Sequence, residues 1–349
     1  MTIAARAAEL TGVRQFHIAE RFIPDPGPGE VQVHVAAVGV CGSDLHSYSE
    51  GAVGDSPCVY PMVLGHEPAG VVMKTGVGVT GWSPGDRAAL EPALYCYHCE
   101  FCLSGHHNVC ANLRFMSNPE EPGFFREYLN LPATNLVALP VGMDLEIATM
   151  VEPLAVVLHS MQFAAVQPGE TAAVFGVGPI GLLTVIALKL AGARRVWAVD
   201  PVPHRLVLAR AVGADVETDP RSFDPVRQIL RDTHNRGVDV AIDCGGRHDS
   251  VNQCIHVTRN AGRVVMTAIP SLVRVPVEFS PLRRKEITLY NVRRSNHEAA
   301  AALAMLTEHL PRFAQLITHT HPLDHIRHAF CQLENYADGV GKVVIRLGK

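Results

Sequence analysis

The sequence predicts an α/β protein in two parts, one β-rich and one built on a doubly wound parallel sheet. Three observations carry this expectation. The chain has 349 residues, more than one hydrophobic core ordinarily serves. Its first 150 residues or so read as short strands broken by proline and glycine turns. From about residue 155 the pattern changes to strand, glycine turn, helix and strand again, the alternation of a parallel sheet with crossover helices.

In the first part, Val31-Gln32-Val33-His34-Val35 alternates apolar and polar residues with period two, as a half-buried strand does. Turn signals recur at Pro24 to Gly29, Thr75 to Gly78 and Ser83 to Asp86, which suits an antiparallel or barrel-like domain. In the second part, residues 172–175, 196–199, 238–242 and 263–268 read as successive buried strands separated by helical stretches. Two further helices are expected near 297–309 and 323–333, and a last strand over 342–347. The uncharged run between Glu170 and Lys189 approaches the length of a membrane span. Gly176, Gly178, Pro179 and Gly181 divide it into a strand and a helix with proline at its start.

Composition excludes several classes of function. The apolar fraction is 48% and the charged fraction 18%, which supplies a large core and argues against disorder. With 30 Lys and Arg against 34 Asp and Glu, the net charge of −4 offers no basic footprint for nucleic acid or an anionic membrane. Nine cysteines, an odd number, and an opening stretch without a secretory apolar core argue against a disulfide scaffold. The expected location is therefore cytoplasmic, with reduced thiols.

Cys96, Cys99, Cys102 and Cys110 stand at the spacing C-x2-C-x2-C-x7-C. Four thiolates within fifteen residues can close a tetrahedral shell around one Zn²⁺ and stabilise a loop too small to pack by itself. An iron–sulfur cluster is the competing reading, but there the fourth cysteine follows after three residues and precedes proline. Here the gap is seven residues, and Ala111 follows. His98, His106 and His107 lie within the stretch and are surplus to a completed shell.

A second, scattered set consists of Cys41-Gly42-Ser43-Asp44-Leu45-His46, then Gly65-His66-Glu67, then Glu152-Pro153. These residue types suit a catalytic zinc with one replaceable position. Spacing alone leaves Cys41 equally readable as a buried structural thiol and His66 as a hydrogen-bonded core histidine.

Gly176-Val177-Gly178-Pro179-Ile180-Gly181 matches G-x-G-x-x-G between an expected strand and an expected helix, and a second strand ends at Asp200. Gly176 permits the tight turn, Gly178 lets backbone N–H groups approach a pyrophosphate, and Gly181 allows close helix–strand packing. Asp200 would accept the ribose hydroxyls of NAD and repel a 2′-phosphate. Arg205 either covers the adenine or admits NADP.

Taken together, Cys41 to His46, Pro61 to Glu67, Gly85-Asp86-Arg87, the four-cysteine lobe, Glu152-Pro153-Leu154, the glycine run with Asp200, and Lys342 to Ile345 resemble the zinc-dependent medium-chain dehydrogenase/reductase family, in particular its polyol (sorbitol-type) branch. The resemblance covers nearly the whole chain. It implies a GroES-like catalytic domain, residues 1–154 with 292–349, and an inserted Rossmann NAD-binding domain, residues 155–291, with a cleft between them.

It also implies two zinc ions per chain. Cys41, His66 and Glu67 take the catalytic ligand positions, with Glu152 either a ligand or a partner of the bound water, and the four lobe cysteines hold a structural ion. Cys58, Cys244, Cys254 and Cys331 stay as reduced thiols. Ser43 and His46 take the places of a proton relay that passes through the cofactor ribose. Ile180, Thr267, Ala268, Ile269 and Arg293 join the glycines, Asp200 and Arg205 as cofactor positions, and Phe115 and Arg293 fall where the branch contacts substrate.

The implied reaction moves a hydride from a secondary alcohol, a polyol or sugar derivative, to NAD and leaves a ketone. Ser47 and Arg294 stand where the branch has tyrosines, which admits pentitols, sugar acids or a threonine-type amino alcohol as substrates. A non-catalytic dinucleotide-binding or sensor protein is the alternative of another class. The resemblance also implies a homo-oligomer, dimer or tetramer, acting on a small-molecule alcohol with no nucleic-acid or membrane partner.

Overall fold

A computed structural model of the chain describes residues 2–247, 249–270 and 272–348. The chain forms two compact units, Met1–Ala155 with Asn296–Lys349, and Val156–Ser295.

In the first unit, strand Glu30–Gly39 is the organising element. Its alternating apolar residues Val31, Val33 and Val35 are fully buried, as the period-two pattern requires. Along one edge it pairs antiparallel with Glu67–Thr75. The other edge is shared by Tyr128–Pro132 at its start and Lys342–Arg346 at its end. Arg87–Leu90 and Leu136–Ala138 extend the sheet on one side, and Ile317–Pro322 closes it on the other. A smaller sheet of Gln15–Pro24, Thr2–Gly12 and Met62–Val63 packs alongside. The core between them holds Leu10, Leu64, Phe124, Phe125 and Phe330, all essentially inaccessible to water. The last strand therefore returns some 300 residues of chain to the neighbourhood of residues 37–39.

The second unit is a six-stranded parallel sheet in the order Val216–Thr218, Arg195–Val199, Thr171–Phe175, Val238–Asp243, Thr258–Met266, Thr288–Asn291. The order reverses beside Thr171–Phe175, the place where open α/β sheets bind ligands at their carboxyl ends. The four central strands are those expected from the sequence. The two outer ones, Val216–Thr218 and Thr288–Asn291, carry no continuous apolar run because each is packed on fewer sides. The uncharged stretch divides into strand Thr171–Phe175 and the twelve-residue helix Pro179–Leu190, about 18 Å long and too short for a bilayer.

Candidate active site and metal centres

Strand Glu30–Gly39 ends just before Cys41, which caps the helix Gly42–Glu50. Glu67 opens the neighbouring strand, paired with Gly39, so one sheet edge delivers both segments to one place. Cys41 Sγ, a His66 ring nitrogen and a Glu67 carboxylate oxygen lie within 4.8 Å of one another. His66 and Glu67 are buried, and Cys41 is half-buried.

Asp44 organises this group, a role that the sequence did not suggest. Its side chain is 1% exposed and accepts the backbone N–H of Cys41 on Oδ2 at 3.1 Å and that of Gly65 on Oδ1 at 3.1 Å. His66 Nδ1 stands 3.3 Å from Oδ1, an electrostatic contact rather than an aligned hydrogen bond. The other ring nitrogen, Nε2, faces Ser43 Oγ at 3.4 Å. A carboxylate behind a ligand imidazole fixes its orientation and raises its basicity. The signal was present as an aspartate at the third helical position after Cys41, where it completes a capping box.

The electrostatics favour a cation. Burial pulls the His66 imidazole down, but Asp44 and Cys41 outweigh it and hold the ring well above its ordinary pKa. Burial pushes Asp44 up, yet His66 and the N–H donors keep it below the usual carboxylate range. Glu67 meets a cation of its own, the buried ammonium of Lys342, which also donates to Val40 O at 3.1 Å.

The remaining residues surround this group or stand apart from it. The Phe115 ring lies 5.6 Å from His66. His46 pairs through Nδ1 with Glu50 Oε1 at 2.9 Å and is about one-third exposed. Glu152 is in the first turn of helix Val151–Ala164 and is not among the residues whose ligand atoms converge with Cys41. Arg293 is exposed on the segment after strand Thr288–Asn291 in the second unit.

The four-cysteine lobe meets a sharper geometric test. Its sulfur separations include 3.5 Å for Cys96–Cys110, 3.9 Å for Cys99–Cys110 and 4.0 Å for Cys96–Cys102. Disulfide bonding is excluded at these distances. A tetrahedron with Zn–S bonds near 2.3 Å has edges of about 3.8 Å, so the donor set and its spacing fit zinc. Without a cation the thiols divide unequally. The His98 backbone N–H and Asn112 pull Cys96 down to about 5, while burial pushes Cys102 up to about 12. Asn296 anchors the lobe by accepting the His107 N–H at 3.0 Å and donating to Gly105 O at 2.8 Å.

In the second unit, Gly176 has φ +84°, and a Cβ there would lie 2.5 Å from Gly245 Cα, so only glycine fits. Gly178 caps the helix Pro179–Leu190, and Ile180 and Gly181 follow in its first turn. Asp200, 3% exposed at the end of strand Arg195–Val199, accepts Val177 N–H at 2.9 Å and Val202 N–H at 2.8 Å. It thereby ties the glycine turn to the second strand. Arg205 Nη1 is 3.8 Å from Asp200, beside Gly178. Thr267 and Ala268 both donate backbone N–H to Asp243 O, and Ile269 is half exposed. The helix start, its free N–H groups and an acid at the next strand end form a cradle of the kind that binds a dinucleotide.

Comparison with known proteins agrees with this geometry. Residues 27–141 match the model of the alcohol dehydrogenase GroES-like domain, and residues 179–308 that of the zinc-binding dehydrogenases. Sorbitol dehydrogenase of Bacillus subtilis is 31% identical over 340 residues, 97% of this chain and 96% of the relative. A probable D-xylulose reductase of Neosartorya fischeri is 38% identical over 261 residues, 73% of each chain. The crystal structure of L-idonate 5-dehydrogenase from Escherichia coli superposes with a TM-score of 0.90 at 29% identity, covering 99% of both chains. Two domain models in order, a full-length relative and a superposition over almost every residue lead to one conclusion: the chain belongs to the zinc-dependent medium-chain dehydrogenase/reductase family.

Proposed function

We propose that this chain oxidises a secondary alcohol of the polyol or sugar-derivative class to a ketone and passes the hydride to NAD. The observation that supports this most is the meeting of Cys41, His66 and Glu67 around a buried aspartate, in a chain that also carries the glycine turn and Asp200. Cys41, His66 and Glu67 would hold a catalytic zinc, with Glu152 either a further ligand or a hydrogen-bond partner of its water, and the lobe cysteines would hold a structural one. A zinc held there would supply Lewis acidity that lowers the pKa of the substrate hydroxyl, and a bound NAD would supply the hydride acceptor.

The chain's own residues do the rest. Ser43 Oγ, beside His66 Nε2, is placed to hold the hydroxyl proton. His46 donates Nδ1–H to Glu50, which leaves Nε2 as the acceptor able to deliver that proton to water. Phe115 supplies an apolar wall against His66 and excludes water from that side. Arg293 would recognise hydroxyls or a carboxylate on the substrate. Asp200, anionic and already bonded to two N–H groups, favours the ribose hydroxyls of NAD over a 2′-phosphate. All nine cysteines are free of disulfides, which fits a reducing cytoplasm.

NAD reduction across polyols, sugar acids and β-hydroxy amino acids tests the reading. A Cys41→Ser variant should lose NAD reduction while still binding NAD. Loss of NAD binding in that variant would place the chemistry elsewhere.

A further inference from the structure

We infer that Ser117 is a positioning residue that fastens the substrate-side segment 114–122 to the metal-holding group through Asp44. The inference rests on the reading of Cys41, His66 and Glu67 as a zinc site, and it concerns what holds that site in register with the Phe115 wall.

Strand Arg114–Phe115 pairs with Ala93–Leu94, and the chain then turns back over residues 63–65. There Gly123, Phe124 and Phe125 donate to Val63 O, Gly65 O and Leu64 O at 2.7, 2.8 and 3.0 Å. At the apex of the turn, Ser117 has φ +86°, a conformation that few non-glycine residues adopt. Its backbone N–H is bonded to Glu121 O at 2.8 Å, and its hydroxyl donates to Asp44 Oδ1 at 3.2 Å. The same carboxylate oxygen takes the Gly65 N–H and faces His66 Nδ1. One atom thus links the substrate-side turn, the backbone before His66 and the imidazole itself. The ring of Phe115, two residues before Ser117, lies 5.6 Å from the same imidazole.

A left-handed serine is strained where glycine would not be. The hydroxyl is what serine offers in return, so its function lies in the bond to Asp44. Without it, Asp44 keeps its two backbone donors but loses this side-chain tie to the turn. The Phe115 wall and the His66 ring then move independently.

The test uses the NAD-reducing holoenzyme and two variants. Ser117→Gly suits the left-handed backbone and removes the side chain with its hydroxyl. Ser117→Asn also tolerates that backbone and restores a donor. Chelator-driven zinc release is followed alongside alcohol kinetics. A hydrogen bond to a charged acceptor is worth enough that its loss should speed release of the Cys41-held zinc by about threefold to tenfold. Release from the four-cysteine lobe should stay at the wild-type rate. KM for the alcohol should rise by a similar factor with kcat much less changed, and Ser117→Asn should recover both. Wild-type release and KM in Ser117→Gly would overturn the inference. So would fast release in Ser117→Gly that Ser117→Asn fails to restore, since the hydroxyl would then not be the cause. If the wild-type protein releases only one zinc per chain, the catalytic site reading itself fails, and this inference falls with it.

Discussion

Lys342 and Glu67, 275 residues apart, form an ion pair in which both side chains are almost wholly removed from water. The pair joins the last strand to the proposed metal site. Gly39 makes room for it, because a Cβ there would stand 2.8 Å from Lys342 Cε. An unpaired carboxylate at that depth costs several kcal/mol, so the ammonium neutralises Glu67 whenever zinc is absent. It also competes with zinc for the same carboxylate.

Lys342→Met is therefore expected to destabilise the metal-free protein by about 3–5 kcal/mol and the zinc-loaded protein by clearly less. Zinc at the Cys41 site should bind the variant more tightly than wild type. Denaturant unfolding with and without zinc, together with competitive chelation, measures both effects. Equal destabilisation in the two states would show that the lysine and the metal do not share Glu67.

The four-cysteine lobe should depend on its metal in a different way. Its helical segments are one turn or less, Glu100–Leu103 and His107–Val109, and much of its surface is exposed, so packing contributes little. Cys99→Ser should lower the zinc content from two per chain to one and remove amide-exchange protection over residues 96–110. The remaining zinc should be the one held by Cys41. A variant that keeps two zinc ions would mean that the lobe tolerates a hydroxyl ligand or that the second ion is elsewhere.

The sequence revealed the lobe and the glycine turn directly, because in each case the chemistry lies within a local run of residues. C-x2-C-x2-C-x7-C brings four sulfurs together by chain connectivity, and Gly176 to Gly181 needs only the strand before it and the helix after it. The scattered set was different. Cys41 and His66 meet because Glu30–Gly39 and Glu67–Thr75 pair antiparallel, and no local periodicity encodes that register. The family resemblance supplied what spacing could not. Asp44 and Lys342 went unassigned for related reasons. Asp44 reads as an ordinary helix-start residue, and Lys342 as a charge at the beginning of a strand, until the fold buries both. Edge strands Val216–Thr218 and Thr288–Asn291 were missed because half-covered strands lose the apolar run by which central ones are recognised.

Cofactor choice should turn on Asp200. Its charge and its two backbone partners place an acceptor at the strand end, while Arg205 at 3.8 Å is the nearby cation that a 2′-phosphate would seek. Asp200→Asn keeps the size but removes the charge. The preference for NAD over NADP, read as the ratio of kcat/KM values, should fall by about tenfold, equivalent to about 1.4 kcal/mol. An unchanged ratio would assign the discrimination to another residue.

The last prediction concerns the stability of the second unit and has a defined dependence on pH. Asp239, on strand Val238–Asp243, accepts bonds from Arg236 at 2.6 Å, Arg259 at 2.6 Å, and both the hydroxyl and the N–H of Thr171 at 2.8 and 2.9 Å. It links the adjacent strands Thr171–Phe175 and Val238–Asp243 to the start of strand Thr258–Met266. Burial pushes its carboxyl up, but the two guanidiniums and Thr171 prevail and hold it well below the ordinary range. A carboxylate depressed in the folded state contributes stability that is fully present above its unfolded pKa of about 3.9. That contribution is lost as pH falls toward the folded value. Asp239→Asn should therefore unfold about 2 kcal/mol more easily than wild type near neutrality. The gap should hold constant down to about pH 5 and close progressively below about pH 4, because the unfolded wild type takes up a proton on Asp239 that the folded protein resists, while asparagine takes up none. Urea midpoints measured from pH 7 to pH 3 read this directly. A gap that stays constant to pH 3 would mean that the asparagine costs the unit its packing, with the charge on Asp239 contributing nothing.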